Sequence, residues 1–280
     1  MSIERLRREW INPHNGKADI QKRMWDSAAK QFSAHEIPDP KTNAFLKLVF
    51  EKAKPDSSMS ALDIGCGCGS YSIALVPHIK NAVGVDISPE MIQYAQKSAK
   101  EHRVQADFRC LNWASADIEK TGFKKAFDIV FAHMTPAIAD FATFNKMNEC
   151  SKGWCFIAKP VKRHSSLQEH IFAEAGVSFD RGKGGAPADS LPFITEYLQD
   201  KGFKSESYYR SEVWTVEKSL EEMTEWMILW AKLHTELGPD QERAIVSALQ
   251  KEARNGIIVE TTEATITTVC WSVQPLHAIM

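Results

Sequence analysis

One short stretch constrains this chain more than any other: Leu62-Asp63-Ile64-Gly65-Cys66-Gly67-Cys68-Gly69. An apolar run suited to a buried strand meets three glycines at alternate positions. Glycine there lets the backbone turn sharply and approach a ligand with no Cβ in the way. In an open sheet with helices between its strands, ligands bind beyond the strands' carboxyl ends, so the turn after the first strand is where a site is expected. Asp63 stands at the strand end, where a carboxylate can receive a cationic amino group directly or through water. Asp86 ends the next apolar run, about twenty residues on, where an acid can accept both hydroxyls of a ribose. A pyrophosphate binder prefers Gly-x-Gly-x-x-Gly and has no use for an acid just before it, which sets aside a nicotinamide-dependent oxidoreductase.

The surrounding pattern agrees. Short apolar runs at 60–64, 82–85, 105–110, 127–132 and 154–158 alternate with segments long enough for helical crossovers, and Ser88-Pro89-Glu90 is a helix start, with Ser as cap and Pro in the first turn. Strands alternating with helices predict an α/β, Rossmann-like, mostly parallel sheet with helices on both faces. Residues 20–32 and 42–52 read as helices before the first strand. After the fifth strand come a glycine-rich loop at 181–187, a helix at 191–201, a strand from Gly202-Phe203 to about Val216, two helices at 220–237 and 241–254, and a strand at 265–273. The whole reads as one domain, 1–280, with cap helices in 1–40 and an inserted helical pair at 218–255.

A chain of 280 residues with 34 basic and 36 acidic side chains lacks the basic excess that a polyanionic partner demands, so no nucleic-acid partner is expected. No apolar stretch is long enough for a bilayer, and Met1-Ser2-Ile3-Glu4-Arg5 has no secretory core. Six cysteines are too few for a disulfide framework, and Cys66/Cys68 and Cys150/Cys155 lack the two-residue spacing of a zinc knuckle. The expectation is a cytoplasmic protein with reduced cysteines, no structural metal and no membrane partner.

Residues 62–69 resemble the first motif of the class I S-adenosylmethionine-dependent methyltransferases, and Val83-Gly84-Val85-Asp86-Ile87-Ser88 is similar to their second. Phe127-Asp128-Ile129-Val130-Phe131-Ala132-His133 is similar to their fourth strand. The resemblance is firm over about 42–159. It implies a seven-stranded sheet whose last strand is antiparallel, S-adenosylmethionine as cofactor, and donor contacts at Asp63, Gly65, Gly67, Asp86, Ile87 and Met91. Asn112 stands where the family usually has an acid near adenine; its amide can still hydrogen-bond, and Trp113 can stack on the base. The segment around Trp25 and Phe32 is similar to an N-terminal helix whose aromatic residue closes over the donor. Trp25, Ala28, Ala29 and Phe32 share one helix face, so a lid and simple core packing both predict burial.

The acceptor is less constrained. His133 lies beside the expected methyl position and is the candidate base or a contact to the donor, with a strand-end cap as the plainer reading. Lys159-Pro160-Val161-Lys162-Arg163-His164 reads foremost as a solvated loop, with an anion-binding cluster as the alternative. Met223, Trp226, Met227, Trp230 and Leu233 make a stripe suited to an apolar lid or to core and dimer packing. The function expected is methyl transfer by in-line displacement to a small-molecule acceptor, with an anionic acceptor as one option. The alternatives are a methyltransferase acting on protein or nucleic acid, and a donor-binding protein without turnover.

Overall fold

The computed structural model describes residues 3–179 and 190–274. The glycine-rich loop expected at 181–187 lies outside the described residues. Seven strands form one sheet in the order β3-β2-β1-β4-β5-β7-β6. They are β1 (Ser60–Ile64), β2 (Asn81–Asp86), β3 (Asp107–Cys110), β4 (Phe127–His133), β5 (Ser151–His164), β6 (Ser205–Ser219) and β7 (Ile257–Ser272). The first five run parallel, and β7 runs antiparallel to both β5 and β6. This is the seven-stranded, Rossmann-like arrangement expected.

Alternation along the short strands splits the core between the two faces. Leu62, Ile64, Val83, Val85, Val130 and Ala132 pack on one side, while Ala61, Ala82, Ile129 and Phe131 pack on the other. The first side is covered by α1 (Ile3–Glu9), α6 (Phe141–Cys150) and α8 (Ser190–Asp200), and the second by α3 (Ala44–Ala53) and α4 (Ser70–Leu75). α5 (Pro89–Glu101) begins as expected: Ser88 Oγ accepts from the Met91 backbone nitrogen at 3.0 Å, and Pro89 needs no donor there.

A second core sits apart from the sheet. α2 (Ala18–Ser33), α7 (Ser166–Glu174), α9 (Leu220–His234) and α10 (Pro239–Glu252) bury Met24, Ala28, Ala29, Phe172, Met223, Met227 and Ile245 together with Met91 of α5. The inserted pair is thus a cap, and α2 belongs to it. α1 does not, contrary to expectation: Leu6 and Trp10 are 1% and 5% exposed and join the sheet core, where Trp10 lies 5.5 Å from Phe144 and stacks at 5.9 Å on Phe193. Among the described residues no helix is long and apolar enough to cross a membrane.

The largest departure from expectation is strand length. β5, β6 and β7 have 14, 15 and 16 residues against five in β1. Residues 159–164, read foremost as a solvated loop, continue β5. Pro160 cannot donate to the ladder, and the register of β5 on β7 shifts between Pro160 and Lys162, so a bulge absorbs the missing bond.

Candidate active site

The glycine turn is held by its neighbours on β2. Gly65 and Cys66 both donate their backbone N–H to the Val85 carbonyl, at 2.7 and 3.0 Å, and Gly67 donates to Asp86 Oδ2 at 2.9 Å. Gly65 and Gly67 have φ of 71° and 52°, in the region where side chains strain. Gly65 is also crowded, because a Cβ there would lie 2.0 Å from Thr135 Oγ1. The turn therefore presses against the loop that follows β4.

Asp86 faces the resulting cavity. Its Oδ1 accepts from the Ser88 nitrogen at 2.9 Å while Oδ2 holds Gly67, so each oxygen keeps lone-pair capacity for a ligand. Burial raises its pKa, and the backbone bonds from Ser88, Gly67 and Ile87 oppose that. Asp63 differs. It is 3% exposed, accepts from Ser72 Oγ at 2.8 Å, and stands behind the cavity wall instead of in it. Direct reception of an amino group by Asp63 does not fit this position; its carboxyl holds Ser72 of α4.

Burial lifts the Asp63 carboxyl to about 7 from 3.8, against the pull of Ser72 and with the Asp86 charge adding to the rise. The folded protein then keeps a proton that the unfolded chain releases near 3.8. The stability contributed by this group is full below that pH and is lost as pH rises through about 7, on the order of 4 kcal/mol across the span. Asp63→Asn keeps the neutral shape and is expected to be increasingly stabilised relative to wild type as pH rises from about 4 to 8. Urea unfolding at several pH values checks this; a constant difference would mean that Asp63 ionises normally.

Ile87, Met91, Leu111, Asn112 and Trp113 continue the wall from Asp86. Asn112 Oδ1 accepts from the Ala114 nitrogen at 3.0 Å, an Asx turn that fixes the amide in place. Trp113 is 3% exposed, packs in the sheet core and donates its indole N–H to the Thr143 carbonyl at 3.0 Å. It borders the cavity as a rigid part of the core.

His133 also lines the cavity, but its surroundings do not suit a base. Its ring lies 4.1 Å from Tyr71 and 4.6 Å from Phe45, and Arg210 Nη2 sits 3.2 Å from its Nε2. An arginine only donates, so Nε2 accepts and the ring proton is on Nδ1. Burial first, then the Arg210 charge, pulls the imidazole pKa down to about 3. The catalytic-base expectation is corrected accordingly: His133 is a neutral wall residue whose basic nitrogen is already occupied.

Both readings of α2 predict burial of this face, and Phe32 departs from it. Ala28 and Ala29 are buried as expected, whereas Phe32 is 36% exposed, and both Phe32 and Trp25 border the cavity. Trp25 meets Phe32 and Trp226 edge-on, each at 5.9 Å. Asp26, between them in sequence, accepts from Ser88 Oγ at 2.6 Å and ties α2 to the start of α5.

Beyond α2, the long strands form a wall that sequence reasoning missed. Alternate residues of β6 share one face, and Glu212, Trp214, Val216 and Lys218 border the cavity, opposite Ala264, Thr262, Glu260 and Ile258 of β7. Arg163 borders it from β5, while Lys162 does not. Of the Met/Trp stripe only Trp226 reaches the cavity; Met223, Met227 and Leu233 are cap core, and Trp230 stacks on Phe172 and His234. The period-two run Arg210-x-Glu212-x-Trp214-x-Val216-x-Lys218 was the available signal. The whole cavity, from Gly67 to Trp226, measures about 490 Å³, within the range of small-molecule sites.

Residues 55–181 match the family described as "Methyltransferase domain". Among curated relatives, the chain is 36% identical over 83 residues to a release factor glutamine methyltransferase of Koribacter versatilis, covering 29% of each. It is 31% identical over 132 residues to a ubiquinone biosynthesis O-methyltransferase of Pelagibacter ubique, covering 45% of this chain and 51% of that protein. The chain spans about half the length, or less, of these relatives. Among solved structures, a phosphoethanolamine N-methyltransferase of Haemonchus contortus shares the fold, with a TM-score of 0.51 at 15% identity, covering 95% of this chain and 60% of that one. With the sheet order and the glycine turn described above, residues 55–181 form a methyltransferase domain of the class I, S-adenosylmethionine-dependent family.

Proposed function

We propose that the chain transfers a methyl group from S-adenosylmethionine to a small-molecule acceptor. The observation that carries this is one continuous cavity, framed at one end by Gly67 and Asp86 and walled at the other by the cap and the long strands. The donor end suits the cofactor. Two Asp86 oxygens with spare lone pairs match the two hydroxyls of a ribose, Ile87 and Met91 offer apolar walls to a base beside the Asn112 amide, and the Gly67 backbone leaves open the space a side chain would fill.

Bound there, S-adenosylmethionine supplies a methyl group on a positively charged sulfur, open to displacement by a lone pair. The chain's own part is alignment and exclusion of water. Trp25 and Phe32 close over the donor end from α2, and Tyr71, His133 and Thr135 shape the floor where the two ends meet. His133 stays neutral and contributes shape and a fixed polar edge without taking the acceptor's proton.

Calorimetry with S-adenosylhomocysteine is expected to give saturable one-to-one binding; a folded sample that takes up none would overturn the donor assignment. Incubation of the protein with isotope-labelled donor and a metabolite extract is expected to label low-molecular-weight products. Label appearing only in macromolecules would overturn the small-molecule reading.

A further inference from the structure

The acceptor end of the cavity holds four charged residues in unequal circumstances. Glu212 pairs with Arg210 Nε at 2.5 Å, and that pair is internally balanced. Glu260 is 3% exposed and accepts from Ser165 Oγ at 2.8 Å. Lys218 is 8% exposed and lies diagonal to Glu260 on the same face of the β6–β7 ladder, yet no ion pair within 4 Å joins them among the described residues. Its Nζ stands 4.7 Å over the Trp226 ring instead. Arg163 reaches in from the other side of β7, and its guanidinium lies 5.9 Å from the Trp214 ring, again with no carboxylate partner among the described residues. The two cations share the field of Glu260, which Ser165 already engages, and Glu222 acts on Lys218 from beyond ion-pair distance. Each cation rests on an indole face, which attracts a charge but gives it no hydrogen-bond acceptor. An ammonium on the cavity wall with no protein acceptor within hydrogen-bond distance among the described residues is free to receive one from a ligand.

We propose that the acceptor is a monoanion with a flat apolar body, of the aromatic carboxylate type: its charged group is received by Lys218, with Arg163 adding positive charge across β7, and its body lies against Trp214 and Trp226. This rests on the methyl-transfer reading for the word acceptor. Glu260 and Glu222 already act on these cations, so a singly charged carboxylate is favoured over a doubly charged phosphate, which would add excess negative charge beside them. The indoles favour a flat body over a bare small anion.

The test compares naphthalene-2-carboxylate with naphthalene-2-carboxamide, matched in shape and different in charge, by calorimetry at neutral pH on protein saturated with S-adenosylhomocysteine. The carboxylate is expected to bind about tenfold more tightly, the scale of one charge-assisted hydrogen bond. Lys218→Gln is expected to bring the ratio to about twofold or less, Lys218→Arg to hold it, and Arg163→Gln to lower it. Equal binding of the two probes, binding of neither, or an unchanged ratio in Lys218→Gln and Arg163→Gln would overturn the proposal. The same titrations on protein without S-adenosylhomocysteine separate the two readings. Failure to take up S-adenosylhomocysteine counts against the donor assignment, and the probe ratio remains readable.

Discussion

Asp86→Ala is expected to weaken S-adenosylhomocysteine binding by at least about a hundredfold. The carboxylate holds the Gly67 and Ser88 nitrogens at 2.9 Å each, and its remaining lone pairs are the ones that the proposed donor pose offers to the ribose. Hydrogen bonds to a charged group contribute roughly 1.5–3 kcal/mol each, so losing two from the ligand costs about two orders of magnitude or more. The variant also frees the turn, since Gly67 loses the side-chain acceptor that holds it. Asp86→Asn keeps one accepting oxygen and should fall between wild type and alanine. Calorimetry on samples with matched thermal unfolding checks the order. A loss below about tenfold for alanine would reduce Asp86 to a brace for the turn.

Gly65→Ala is expected to cost about 2–5 kcal/mol of stability and to abolish donor binding. Left-handed backbone penalises any side chain by about 1–2 kcal/mol, and forcing atoms into a packed site adds about 1–3 kcal/mol. The added methyl meets Thr135 Oγ1 at 2.0 Å and Thr135 Cβ at 2.6 Å, and a β-branched side chain cannot swing clear as a flexible tip could. Relief requires the turn and the loop after β4 to part, which opens the floor of the site. Gly122→Ala provides the control: its φ is 72° with nothing within 4 Å, so it bears the conformational cost alone. Equal destabilisation of the two variants in urea would show that the Thr135 contact is unimportant.

The donor half of the molecule was legible because local signals there agree with one another. Leu62 and Ile64 need burial, Gly65 and Gly67 need room, Ser88 caps and Pro89 starts a helix, and each choice points to the same βαβ unit. The acceptor half was not, for a physical reason visible in β5 and β7. Pro160 and the basic residues after it look like a strand's end, yet a bulge carries the ladder past them to His164. β7 begins at Ile257, eight residues before the expected start at Thr265, because its buried face carries Glu260 and Thr262 where a core strand would carry apolar residues. Polar side chains turned toward a cavity erase the alternation by which a strand is recognised. His133 was found, but its partner Arg210, 77 residues away in sequence, was not.

Among the described residues β6 is the edge of the sheet, bonded along its length to β7 and to no other strand. A substitution at Glu212, Trp214, Val216 or Lys218 therefore disturbs one neighbouring strand, whereas a change in β1 strains β2 and β4 together. The proposed donor site is written on the interior of the sheet and the proposed acceptor wall on its margin. Such a chain can drift toward new acceptors by rewriting one side of a single border strand while its handling of the shared cofactor stays fixed.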